Sequence, residues 1–167
     1  MTSKRGAYIF ALIVFAVDQL SKWLVTGPLG VRALGDQKVL LPIFNLTYVE
    51  NRGISLGYLH ADGDTGRWLL VAATTAIAIG VAWWIRREDA PGERIALAMI
   101  LGGALGNILD RARQGFVTDF LDLHFGEWRP FLVFNVSDAA ISIGVAILLI
   151  RAVFVHKKPA NTETTHA

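Results

Sequence analysis

Residues 102–111 read GGALGNILDR, and residues 134–138 read FNVSD. Each stretch places an amide and a carboxylate in or beside a segment apolar enough to sit in a membrane, and Asp119 lies between the two. A carboxylate at bilayer depth costs free energy, so it is by default a candidate for a functional site. The two stretches therefore predict a membrane-embedded helical protein with a buried site for acid–base chemistry.

The composition also indicates a membrane protein. Of the 167 residues, 53% are hydrophobic, and the mean hydropathy is +0.45, which is too apolar for an ordinary soluble domain. The sequence contains no cysteine, which excludes disulfides, thiol catalysis and cysteine-ligated metals. The net charge is only +2 and the basic residues are scattered, so we expect no nucleic-acid partner.

Four segments are long enough to span a bilayer, which needs about 20 apolar residues per helix: 8–26, 68–85, 95–110 and 132–154. The first could be a cleaved signal peptide, but no A-x-A site follows it, so we interpret it as a retained helix. Lysine and arginine crowd the short segments on one side, whereas the loops 28–66 and 111–130 mix both signs. Both termini are therefore expected in the cytoplasm and both long loops outside.

The first long loop carries a strand pattern. Residues 43–49 alternate and are rich in aromatic and β-branched side chains, residues 50–53 resemble a turn, and residues 116–123 have weaker β character. The expected fold is one all-α membrane domain over residues 1–156, with four transmembrane helices and a small extracytoplasmic β-sheet on the membrane surface. Residues 157–167 are polar and are expected to form a disordered cytoplasmic tail.

Several polar residues of the spans have a simple structural interpretation. Asp18 and Lys22 stand at i,i+4 on one helical face and can form an ion pair that fixes the helix. Asp110 and Arg111 end the third span, where a structural role is also favoured. Gly103 belongs to a set of small residues that lets helices approach closely, and packing alone explains it.

Asp119 and Asp138 differ because neither has a basic residue at i±3 or i±4. Two carboxylates in one low-dielectric site share a single proton, and such a pair can deprotonate a water and protonate a leaving amine. The alternative, which spacing alone favours, is that Asp119 starts a turn and that Asp138 or Asn135 caps a helix.

Two other chemistries have weaker support. Ser21 and Lys22 could form a nucleophile pair, but adjacent helix residues point about 100° apart. A metal could be bound by Asp119, Asp122 and His124, although their spacing matches no recognised ligand pattern. We therefore expect neither a metal nor a cofactor.

Five motifs, in this order, resemble those of the lipoprotein signal peptidase family, also called signal peptidase II. They are Asp18-Gln19-x-Ser21-Lys22, Glu50-Asn51-Arg52-Gly53, the stretch from Gly102 to Arg111, Val117-x-Asp119-Phe120, and Phe134-Asn135-x-x-Asp138-Ala139. The resemblance covers nearly all of the chain up to about Phe154.

The resemblance implies an aspartic endopeptidase of the bacterial inner membrane, with its active site near the periplasmic face. Such an enzyme cuts the signal peptide from prolipoproteins just before a diacylglyceryl-modified cysteine. The implied partners are this prolipoprotein and membrane lipids, and we expect a monomer. Carried over by motif, the catalytic pair is Asp119 and Asp138, the substrate-positioning residues are Asn51, Asn107, Arg111 and Asn135, and the supporting residues are Asp18, Lys22, Gly103 and Asp110.

Two hypotheses from other classes remain at this point. Intramembrane aspartate and lysine also build proton relays, so the chain could be a small proton-coupled transporter. Four spans without a repeated half offer little of the usual transporter design, however. A purely structural subunit would leave the cluster of carboxylates unexplained.

Overall fold

The computed structural model describes residues 3–53 and 64–154, so the predicted tail, 157–167, lies outside the described residues. Along this part of the chain the elements are α1 (Lys4–Thr26), β1 (Gln37–Leu41), β2 (Phe44–Asn51), α2 (Asp64–Arg87), α3 (Pro91–Gln114), β3 (Val117–Leu123) and α4 (Val136–Phe154). All four helices are long and apolar enough to cross a membrane. The predicted fold class, four transmembrane helices with a small β element, is confirmed.

The helix bounds differ from the predicted spans for local reasons. The helices α2 and α3 extend beyond the apolar cores 68–85 and 95–110, because helical turns continue into charged residues at both ends. The helix α4 begins at Val136, four residues after the predicted start at Leu132. Phe134 instead exchanges backbone hydrogen bonds with Leu121 of β3, which keeps the chain extended up to Asn135.

The helix α3 lies at the centre and packs against the other three helices. Half of its membrane-spanning window is buried, whereas the corresponding share for each other helix is below a third. Its glycines permit this packing. A Cβ on Gly102 would collide with the Ala11 carbonyl of α1, and one on Gly103 would come within 2.5 Å of the Ser137 carbonyl of α4. The predicted close approach of the helices is therefore confirmed.

The three strands form one antiparallel sheet in the order β1-β2-β3. Buried side chains of β2 and β3, among them Tyr48 and Phe120, pack with Val25 in the last turn of α1 and with Val31 in the loop that follows. The predicted turn at 50–53 was placed too early, since β2 continues to Asn51 and the chain turns at Gly53, whose φ is +102°. The strand β1 was not predicted as a separate element.

Candidate active site

Asp119 and Asp138 share one neighbour, Asn135. Asp119 lies in the middle of β3 and is 2% exposed, and its Oδ1 accepts a 2.6 Å hydrogen bond from Nδ2 of Asn135. The other side-chain atom of this amide, Oδ1, accepts the backbone N–H of Asp138 at 2.9 Å. The side chain of the fully buried Asn135 thus links the Asp119 carboxylate of β3 to the backbone of the first turn of α4.

A capping box fixes Asp138 in place. Asn135 precedes the first residue of α4, and its own N–H donates to Oδ2 of Asp138 at 3.2 Å while its Oδ1 accepts the Asp138 N–H. Such a reciprocal pair satisfies two N–H groups that have no partner inside the helix. The capping contacts considered from the sequence are therefore present, and they orient the very carboxylate expected to take part in catalysis.

Two further amides complete the polar network. Asn107 of α3 donates to Oδ1 of Asp138 at 2.9 Å and accepts a longer bond, 3.3 Å, from Asn135. Asn51, at the end of β2, donates to Oδ2 of Asp119 at 3.0 Å, and its Oδ1 accepts the backbone N–H of Gly53. Three of the four residues expected to position substrate therefore use their amides on the two carboxylates.

Arg111 differs from these amides because its Nε is buried and, within the described part of the chain, makes no hydrogen bond. Its charge interacts most strongly with Asp138 and then with Asp119 and Asp110. The Arg111 carbonyl is held by Arg67 of α2, whose Nε donates to it at 2.8 Å. Arg67 was not predicted, since nothing in the sequence links the start of α2 to the end of α3.

The environment of Asp119 favours its neutral form. Burial, and secondly the charge of Asp138, raise the pKa of Asp119 from 3.8 to about 6. Hydrogen bonds from Asn51 and Asn135 and the charge of Lys22 oppose this rise. The balance leaves a carboxyl group that titrates close to neutral pH, as general acid–base catalysis requires.

A buried ionic cluster lies behind the dyad. The predicted pair of Asp18 and Lys22 is confirmed, with Nζ 2.7 Å from Oδ2, and the same Nζ lies 2.7 Å from Oδ2 of Asp110. Gln19 bridges the two acids, donating at 3.1 Å to Asp18 and 3.0 Å to Asp110. Gln19 was not among the predicted site residues, although it lies inside the first motif.

This cluster holds the backbone immediately before each member of the dyad. Asp18 accepts the N–H of Ser137 at 2.9 Å, and Asp110 accepts the N–H of Thr118 at 3.3 Å. These two residues directly precede Asp138 and Asp119. Lys22 therefore joins two carboxylates that each hold one arm of the dyad.

Asp122, from the alternative metal site, and Ser21, from the alternative nucleophile pair, both make contacts within the fold. Asp122 is buried and accepts hydrogen bonds from Thr47 at 2.9 Å and from Arg129 at 3.2 Å. No group of three potential metal ligands is found among residues 3–53 and 64–154. The Ser21 hydroxyl donates to the carbonyl of Asp18 at 2.7 Å, so it is not directed at Lys22.

Residues 10–154 match the model of the family described as signal peptidase (SPase) II. The chain belongs to the signal peptidase II family. It is 51% identical to the lipoprotein signal peptidase of Sphingopyxis alaskensis, over 98% of this chain and 96% of that protein. It is also 52% identical to the lipoprotein signal peptidase of Rhizorhabdus wittichii, over 94% of this chain and 91% of that protein.

Solved structures support the same fold. A bacterial membrane enzyme determined at 2.3 Å resolution superposes with a TM-score of 0.74 at 24% identity, covering 93% of each chain. A second such enzyme, at 1.9 Å resolution, has a TM-score of 0.71 at 25% identity and covers 89% of this chain and 93% of its own.

Family membership makes the chain a multi-pass membrane peptidase that removes signal peptides from prolipoproteins. It favours this activity over the transporter and the structural subunit.

Proposed function

We propose that the chain is an aspartic endopeptidase in which Asp119 and Asp138 activate one water molecule. The observation that carries the proposal is that the buried Asn135 contacts both carboxylates: its side chain donates to Asp119, and its backbone N–H donates to Oδ2 of Asp138. A shared proton is the usual state of two such carboxyl groups. The raised pKa of Asp119, about 6, suits it to hold that proton.

In the proposed mechanism Asp138 is the base and Asp119 the acid. Asp138 takes a proton from water as the water oxygen attacks the carbonyl carbon of the scissile bond. Asp119 gives its proton to the carbonyl oxygen, which forms a neutral tetrahedral diol. The diol then collapses as one hydroxyl proton returns to Asp119 and the proton on Asp138 passes to the leaving nitrogen, which breaks the C–N bond.

The neighbouring side chains would orient this reaction. Asn107 holds Oδ1 of Asp138 and Asn51 holds Oδ2 of Asp119, so each carboxylate keeps one fixed direction toward the water. The Arg111 guanidinium, with its buried Nε, would donate to a substrate carbonyl beside the dyad. Positioning of this kind accounts for large rate factors, because a displacement of about 1 Å can cost around 10²-fold in rate.

We further propose that the substrate is cut just before a diacylglyceryl-modified cysteine, by a monomeric enzyme of the bacterial inner membrane. The ends rich in basic residues lie together, since Lys4 lies 3.6 Å from Asp89 and Arg151 lies 3.6 Å from Glu93. Cytoplasmic placement of these ends follows the distribution of positive charge in membrane proteins. The dyad then lies toward the periplasmic face, where the lipid chains of the substrate could stay in the bilayer.

The direct test is cleavage of a purified lipid-modified prolipoprotein in detergent, read as a shift on a gel. We expect the product to end just before the modified cysteine, and we expect full activity in EDTA, because the dyad needs no metal. Activity lost in EDTA and restored by zinc would contradict the aspartic mechanism. No cleavage in detergent, where no ion gradient exists, would favour a transport role instead.

A further inference from the structure

A polar cavity lies beside the Lys22 cluster. Its volume is about 590 Å³, and it is lined by the last turns of α1 and α3 and by β2 and β3. Neither Asp119 nor Asp138 lines it. This volume falls within the range of ligand-binding clefts.

Two arginines give the cavity its charge. Arg32, which follows α1, and Arg113, in the last turn of α3, both line it and are exposed. Neither guanidinium makes a hydrogen bond or ion pair with another residue of 3–53 or 64–154. The nearby carboxylate of Asp36 is held by the backbone N–H groups of Arg32 and Ala33 at 2.9 and 2.8 Å.

The other charges near the cavity belong to the Lys22 cluster in its buried wall. Lys22 is bound to Asp110 and Asp18 at 2.7 Å each, so this group of three carries one excess negative charge in the buried wall. Arg32 and Arg113 supply two positive charges at the mouth, and the Asp36 carboxylate offsets part of the charge of Arg32. Tyr48, Gln114 and Thr118 also line the space. The two guanidinium groups offer an oxyanion both hydrogen-bond donors and positive charge.

The position of the cavity indicates where such an anion comes from. Both α1 and α3 end at the cavity, at the level where a spanning helix leaves the bilayer. Trp23, which lines it, is 60% exposed, as are tryptophans that anchor helices at the interface. Leu29 and Leu34, on either side of Arg32 in sequence, are 40% and 70% exposed. A polar cleft with an apolar border fits an amphiphile.

We propose that this cavity, defined by Arg32 and Arg113, binds the phosphate group of an anionic phospholipid of the surrounding leaflet. The two guanidinium groups hold the phosphodiester oxygens, Trp23 contacts the glycerol and acyl region, and the acyl chains remain in the bilayer. The site is separate from the dyad. Its existence does not depend on the proposed catalytic mechanism.

The test measures lipid binding to the full chain by native mass spectrometry, after purification in a neutral detergent. Phosphatidylglycerol and phosphatidylcholine are compared at equal concentration, and inorganic phosphate and glycerol 3-phosphate are added as soluble competitors. We expect phosphatidylglycerol to bind about tenfold or more tightly than phosphatidylcholine, since charge-assisted hydrogen bonds to two arginines are worth at least that factor. Equal competition by the soluble phosphates at matched concentration would overturn the assignment to a phospholipid and assign a soluble anion to the site.

Variants assign the binding to the cavity. Arg32→Gln and Arg113→Gln should each weaken phosphatidylglycerol binding about tenfold. The matched control is Lys38→Gln, which removes one positive charge from the exposed strand β1. Thermal unfolding in phosphatidylcholine verifies that each variant is folded. Equal binding of the two lipids by the wild-type chain would overturn the proposal, as would an equal effect of Lys38→Gln.

Discussion

Asn135 donates a 2.6 Å hydrogen bond to Asp119 and also caps α4, the helix whose first turn contains Asp138. The same side chain therefore fixes the start of α4 and contacts the Asp119 carboxylate of β3. Because a helix cap and a catalytic contact are chemically separable, substitutions of Asn135 can distinguish its two roles.

Asn135→Ser should separate stability from activity. Serine is as good a cap as asparagine, but its short hydroxyl cannot cap α4 and donate to Asp119 at the same time, as the amide does. We expect cleavage to fall about 10²-fold in both Asn135→Ser and Asn135→Ala. Only Asn135→Ala should also lose about 1 kcal/mol of stability in thermal unfolding. Wild-type cleavage by Asn135→Ser would show that the contact with Asp119 is dispensable.

The pH profile of cleavage should reflect Asp119. A carboxyl group with a raised pKa holds its proton below about pH 6 and loses it above, so kcat/KM should fall on the basic side with an apparent midpoint near 6.

Asn51→Ala should move this basic limb to higher pH. The Asn51 amide lowers the pKa of Asp119 by bonding its ionised form, so removal of the amide raises that pKa further. Thr47→Ala is a matched control on the same strand, because Thr47 contacts Asp122 instead. A basic limb that stays in place or moves down in Asn51→Ala would contradict the assignment to Asp119.

The pairing of Asp18 with Lys22 follows directly from i,i+4 spacing. The third member of the cluster, Asp110, could not be assigned to it, because it lies 88 positions from Lys22 and meets it only when α1 packs on α3. In the same way, the sequence indicated Asn135 as a possible cap, but its bond to Asp119 depends on how β3 crosses the start of α4. Local spacing predicts contacts within a helix, whereas contacts between elements require the packed fold.

The membrane spans were predictable because long apolar runs have few alternatives. The start of α4 was not predictable, since residues 132–135 are as apolar as the helix that follows. These residues are extended because Phe134 pairs with Leu121 of β3. The strand β1 has every residue exposed and so shows no alternation of burial. Asn51, expected from the family resemblance to position substrate, contacts Asp119 in the structure, and any additional contact with substrate remains a proposal.

Removal of Lys22 should destabilise the fold strongly. Lys22→Met leaves Asp18 and Asp110 buried without their cation, and breaking a buried ion pair in this way costs about 3–5 kcal/mol. Lys4→Met is the control, because the Lys4 pair with Asp89 is exposed and worth at most about 1 kcal/mol. Unfolding measured in detergent should separate the two variants clearly. Equal losses would show that the cluster is not a stabilising centre.

Gly106 should not tolerate a side chain. A Cβ there would overlap the Ser137 hydroxyl and approach Oδ2 of Asp18 to 2.5 Å, so Gly106→Ala must displace the first turn of α4. We expect a loss of about 1–3 kcal/mol in stability and reduced cleavage. Gly80→Ala, a helical position with nothing within 4 Å of the added atom, should be neutral or slightly stabilising. Unchanged stability of Gly106→Ala would show that α3 and α4 are less closely packed.

The most direct test of the dyad is the cleavage rate of Asp138→Asn. Asparagine keeps the size of aspartate but cannot exchange the proton, so cleavage of the lipid-modified prolipoprotein should fall by about 10³-fold or more while the protein still inserts and stays monodisperse. Asp119→Asn should behave alike, and the double variant should be no worse, because residues that act as a unit are not additive. Asp122→Asn changes a second buried carboxylate of β3, the strand that carries Asp119, and should retain far more activity. Substantial turnover by folded Asp138→Asn would contradict the proposed mechanism.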